Sequence, residues 1–259
     1  MSAPARLAAL RQLLAGRFPS AALPPAVPDG SPASRALPTG LPAIDEVAGG
    51  LPRGAVTEIV CAAPSCGGQL LLGQLLAATR LTAVRVALVD GHDAFDPASF
   101  PADLLAHLVW VRGGGRTAAP VSASVATWER RDHMAADPAT LSLGAGAATS
   151  SAPALARALQ AADLLARDAN LGLVVLDLRA AGAADFRRTP ATHWYRLQHA
   201  AETAGLPLVV LTPRAAVPSA RIRFVLGVSH ALPALTLART TLLATLAPRL
   251  QRHRLAAAV

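Results

Sequence analysis

Residues 55–69 read AVTEIVCAAPSCGGQ. Ala55 to Cys61 is a β-rich apolar run, and the next residues, Ala62 to Cys66, carry a proline and no periodicity. From Gly67 to Arg80 the leucines 70, 71, 75 and 76 recur at helical spacing. A strand that passes through a short turn into an amphipathic helix is the first unit of an α/β fold. The pattern then repeats. Val84–Asp90, His107–Arg112, Leu171–Asp177, Pro207–Thr212 and Arg221–Val228 read as further strands. Pro153–Asp168 reads as a helix with Leu155, Leu159, Leu164 and Leu165 on its apolar side, and Thr192–Ala204 as another. Such alternation predicts a mainly parallel twisted sheet with helices on both faces. Leu235–Arg254 is expected to close the domain as a strand or a helix.

The first unit is preceded by two segments of different character. Residues 1–19 predict a helical arm, because Leu7, Leu10, Leu14 and Phe18 fall on one face. Residues 20–38 are rich in proline and predict a linker. The stripe on the arm either packs on its own domain or enters a groove on another protein. The main domain is expected over 39–259. Within it, 113–152 is a Gly-, Ala-, Ser- and Thr-rich stretch expected as a mobile surface insertion.

Composition narrows the class. The 259 residues are 53% hydrophobic and 15% charged, enough to bury a core and too apolar for general disorder. No apolar run approaches the roughly 18 residues of a membrane span, and Met1–Arg11 lacks the features of a secretory signal, so a cytoplasmic protein is expected. Cys61 and Cys66 are too few for a disulfide framework and lack partners at zinc-site spacing, so reduced thiols and no metal site are expected. The formal charge is +8, and all 24 basic residues are arginine; there is no lysine. A GC-rich genome explains that bias, as does an anionic partner, either nucleic acid or an acidic protein surface.

The missing lysine bears on the turn after the first strand. A phosphate-binding loop follows GxxxxGK[ST], in which the lysine meets the β/γ-phosphates and the hydroxyl binds Mg²⁺. Here Ala62 stands at the first glycine, Gly67 matches, Gly68 takes the lysine position and Gln69 the hydroxyl position.

Around that loop the chain resembles the RecA-like recombinases. The motifs are Leu37-Pro-Thr-Gly-Leu-Pro-Ala-Ile-Asp45, Gly49-Gly-Leu-Pro-Arg-Gly54, Glu58-Ile59, Val89-Asp-Gly-His-Asp-Ala-Phe-Asp-Pro97 and Leu173-Val-Val-Leu-Asp177. The resemblance runs from about Leu37 to Val228 and implies a RecA-like P-loop-type core. It places Asp177 at the end of the Walker B strand and His92 where the family has its water-activating glutamate, with Asp93 beside it as a displaced base. The polar sensor is replaced by Thr212-Pro213-Arg214. The site formed by Ala62, Gly67, Gly68, Gln69 and Asp177 is therefore degenerate, and ATP and Mg²⁺ are not expected as cofactors. The family's DNA-gripping connections are also altered. The second shrinks to Pro213–Ser219, whereas the first, Leu178–Pro190, keeps Arg179, Arg187 and Arg188 to touch phosphates.

These departures resemble the ImuA branch, related to the SulA group. That resemblance implies a non-catalytic adaptor of bacterial translesion synthesis within the SOS response, contacting RecA, ImuB or a DnaE-type polymerase. The arm residues Leu7, Leu10, Leu14 and Phe18 would make the partner contact. A divergent ATPase with Asp93 as base and backbone amides for phosphate is the alternative, and a basic DNA-binding structural protein is a second. In the basic segment 239–259, Arg249, Arg252 and Arg254 are expected along one side of a helix end, for DNA phosphate, an acidic partner or solvent. Arg221 and Arg223 are expected as a solvent-facing strand pair, and Trp194 and Tyr195 at the core or its edge.

Overall fold

The chain divides into Met1–Ser34 and Arg35–Val259. The computed structural model describes residues 35–113, 140–142 and 154–254. The arm with Leu7, Leu10, Leu14 and Phe18 lies outside the described residues, as does the linker up to Ser34.

The elements in chain order are β1 (Ala36–Leu37), α1 (Pro42–Ala48), β2 (Leu51–Pro52), β3 (Ala55–Cys61), α2 (Gly68–Leu81), β4 (Val86–Asp90), α3 (Ala102–Leu105), β5 (Leu108–Arg112) and β6 (Thr140–Ser142). There follow α4 (Ala154–Leu165), β7 (Leu173–Asp177), α5 (Ala183–Arg188), α6 (Ala191–Ala204), β8 (Pro207–Thr212), β9 (Ile222–Leu226), α7 (Arg239–Thr245) and β10 (Arg249–His253).

β1 and β2 form an antiparallel pair, Leu37 opposite Leu51. Ala36 and Leu37, within the range read as linker, thus pair with the domain. Thr39 is tied into this corner: its N–H and hydroxyl donate to Asp45 at 2.9 and 2.7 Å. The turn from α1 to β2 needs glycine at position 50. Its φ is +106°, and a Cβ there would lie 2.5 Å from the Leu37 carbonyl oxygen.

The main sheet has eight strands in the order β10-β9-β3-β8-β7-β4-β5-β6. All pairings are parallel except β10 with β9. The architecture is α/β, mostly parallel, with helices on both faces. Strand alternation sets the two cores. Val56, Ala87, Val89, Val174, Leu176, Leu208 and Val210 face α4 and α6. Ile59, Val86, Leu88, Leu173, Val175, Val209 and Leu211 face α1 and α2. Both core faces of the central strands are covered, so β4, β7 and β8 are buried along their whole length.

Several expectations change. Thr140–Ser142, inside the expected insertion, is an edge strand parallel to β5. The period within α4 turns Leu164 outward, where it is 69% exposed. The C-terminal stretch is both helix and strand. Arg249 and Arg252 lie on β10, antiparallel to β9 with a register shift after Leu250, and Arg254 follows it. They do not line a helix end. Trp194 is buried and Tyr195 is half exposed. No helix among the described residues is long and apolar enough to cross a membrane.

Candidate functional site

Loops leave the carboxyl ends of β3, β8, β7 and β4, which lie side by side in the sheet. In open α/β sheets this edge is where ligands bind. A cavity of about 590 Å³ opens there, lined by the 61–70 turn together with Arg179, Pro213, His230 and Leu242. The turn is held tightly. Ser65 and Gly67 have φ of +51° and +87°, and the His230 N–H donates to the Ser65 carbonyl at 3.0 Å.

Arg179 fills the position of greatest chemical interest. Its Nε donates to Asp177 Oδ1 at 2.9 Å, and its Nη2 donates both to Asp177 Oδ2 and to Gln69 Oε1, the latter at 3.0 Å. In P-loop proteins a Mg²⁺ ion sits between the loop hydroxyl and the Walker B aspartate. The resemblance aligns Gln69 and Asp177 with those two positions; in the structure the Arg179 guanidinium bridges the two side chains. Its Nη1 also covers Gly68: a Cβ at that residue would lie 2.9 Å from it. A lysine at position 68 would have to displace Arg179. The arginine expected to reach phosphates is therefore committed to an internal ion pair, with Asp177 only 1% exposed.

The region after β4 is equally committed. Asp90 is fully buried, and its carboxylate accepts the N–H groups of Ala94 and Phe95 at 2.9 Å each. This fixes the turn that carries His92 and Asp93. Both oxygens of Asp93 accept from Arg112, at 2.8 and 2.9 Å, and that guanidinium lies 5.0 Å from the Trp110 ring centre. Asp93, the displaced-base candidate, is thus paired with Arg112 at the surface. His92 Nδ1 is buried without a hydrogen-bond partner.

Glu58 is a further polar centre. It is fully buried in β3, where it accepts from Thr212 Oγ1 at 3.0 Å and from the N–H groups of Ala216 and Val217 at 2.7 and 3.1 Å. Arg223 Nε pairs with its other oxygen. Arg223 therefore turns inward, which corrects the expectation of a solvent-facing pair with Arg221. The Pro213–Ser219 connection is anchored on this carboxylate. A glutamate in the middle of an apolar strand was the available signal, because a buried charge requires partners.

The two thiols meet in the same turn. Cys61 donates its S–H to the sulfur of Cys66, which raises the Cys61 pKa, and burial raises it further. The same bond, with the N–H groups of Gly68 and Ala63, lowers the Cys66 pKa to about 6 against the cost of burial.

Arg187 and Arg188 end α5, exposed and without an ion-pair partner among the described residues. Arg249 and Arg254 are exposed at the β10 edge, and Arg252 reaches the Pro218 carbonyl at 3.4 Å. No group of three or more His, Cys, Asp or Glu among the described residues is arranged to hold a metal ion. Comparison of the chain with protein-family models and with curated protein sequences returns no match.

Proposed function

We propose that this protein is a non-catalytic, RecA-like adaptor of the bacterial DNA-damage response. In this reading it supports error-prone translesion synthesis through contacts with RecA, ImuB or a DnaE-type polymerase. The bridge from Asp177 through Arg179 to Gln69, laid across Gly68, carries the reading. On the RecA-like reading, the chain's own cation takes the place a triphosphate's metal would need, and the sequence has no lysine to recruit. Each charge-assisted hydrogen bond forfeited is worth about 1.5–3 kcal/mol, so losing the lysine and the metal ligand weakens nucleotide binding by about 10²–10⁴-fold. The residues do not suit ATP with Mg²⁺. The RecA-like part of the proposal is supported by the side-by-side carboxyl ends of β3, β8, β7 and β4. These bring together the segments whose motifs resemble that family. A dinucleotide-binding sheet keeps its first two strands adjacent, whereas β7 and β8 separate β3 from β4 here.

Calorimetric titration of the full chain with ATP and Mg²⁺, beside capture by purified RecA, ImuB and DnaE-type polymerase, tests the proposal. Saturable capture with no nucleotide binding is expected. Micromolar ATP affinity with Mg²⁺-dependent turnover would overturn it in favour of the ATPase. Capture by none of the three, with strongly salt-dependent retention on single-stranded DNA, would favour the DNA-binding protein.

A further inference from the structure

Cys61 and Cys66 line one cavity, share a hydrogen bond and are separated by a four-residue turn. Cys61 ends β3, whose pairing with β8 and β9 fixes its backbone. Cys66 is placed by the left-handed backbone at Ser65 and Gly67, which folds the turn back towards the strand end. Cys61 Sγ also lies close over Gly68, 2.9 Å from where a Cβ would be. Only a glycine there leaves space for the sulfur. Two thiols thus meet at one strand-to-helix turn and border one cavity, Cys61 half-buried and Cys66 5% exposed.

We propose that Cys66 and Cys61 form a thiol–disulfide exchange site that reacts with small-molecule disulfides entering the 590 Å³ cavity. The Cys66 thiolate attacks one sulfur of the reagent R–S–S–R. A bond forms between Cys66 and that sulfur, the reagent's S–S bond breaks, and RS⁻ leaves. Cys61 then loses its proton to solvent and attacks the Cys66 sulfur, closing the Cys61–Cys66 bond and releasing the second RS⁻. Two protein thiols are oxidised by two electrons and one disulfide is reduced to two thiols, which take up the two protons. The groups facing the pair are Asp177 at the end of β7 and Arg179 just beyond it, whose charges oppose each other at Cys61, and His230, which lines the same cavity. The exchange does not depend on which partner the adaptor binds.

The test incubates the full-length chain with mixtures of oxidised and reduced glutathione, quenches by alkylation, and maps the products by intact mass and peptide fragmentation. The wild-type chain is expected to accumulate the Cys61–Cys66 disulfide and to lose both free thiols together. Cys61→Ser is expected to stop at a single glutathione adduct on Cys66. Cys66→Ser is expected to react about tenfold more slowly at pH 6, because an ordinary thiol is scarcely ionised there. The wild-type measurement decides even if a variant fails to fold. Two separate glutathione adducts, or two thiols that stay free at every ratio, would overturn the proposal.

Discussion

Arg179 and Gln69, 110 positions apart in sequence, are joined by a 3.0 Å hydrogen bond that closes over the turn after β3. Through the same guanidinium Gln69 is coupled to Asp177, so the helix start, the β7 end and the loop between them form one unit.

That unit sets the effect of Arg179→Ala. Removing one partner leaves Asp177 charged and unpaired while 1% exposed, a change that costs about 3–5 kcal/mol in buried pairs. A urea melt is expected to show a loss near the lower end, since the arginine itself is 19% exposed. Arg179→Lys keeps the charge but lacks the planar fork that serves Asp177 and Gln69 together, and is expected to fall between wild type and Arg179→Ala.

Arg223→Met is expected to destabilise by about 3 kcal/mol or more, because Glu58 then sits charged in the sheet interior. Hydrogen exchange adds a local signature. The N–H groups of Ala216 and Val217 bond to the same carboxylate, and their protection is expected to fall more than that of the β8 amides.

His107 predicts an acid-sensitive contribution. Burial, with the positive charge of Arg80, holds its pKa below the usual 6.5, and its Nε2 lies 2.9 Å from Thr79 Oγ1. The unfolded chain therefore binds a proton more readily than the folded one. Stability from this residue is complete above pH 6.5 and is lost as pH falls through the folded value. The urea midpoint of His107→Gln is expected to drop less than that of wild type between neutral pH and pH 5.

Cys66 predicts a pH profile. With its pKa lowered to about 6, its alkylation rate is expected to rise as pH increases towards 6 and to level off above 7. An ordinary thiol continues to accelerate until about pH 8.5. Iodoacetamide kinetics with peptide mapping give the curve directly.

The sheet was legible where burial and pattern agree. Pro207–Thr212 reads as a strand because it is uniformly apolar between Gly205 and Pro213, and the structure gives it the same bounds. Thr140–Ser142 did not stand out, since three residues in an alanine- and serine-rich stretch carry no period. The departure of Gly68 and Gln69 from the GxxxxGK[ST] pattern was readable in the sequence. The contact that Gln69 makes was not. Arg179 is two residues beyond Asp177, and its inward turn depends on a glycine and a glutamine brought from another strand's loop. The arginines of 249–254 were misread because a basic helix end and a basic edge strand have similar compositions, and pairing with β9 decides between them.

β10 leaves one border of the sheet with backbone groups that no further strand takes up among the described residues. Arg249, Arg252 and Arg254 occupy it, and the register shift after Leu250 interrupts its regularity. Two copies brought border to border would oppose like charges across a spacing of about 4.8 Å. Lateral stacking of this fold into fibrils is therefore resisted along that side by repulsion, despite so apolar a chain.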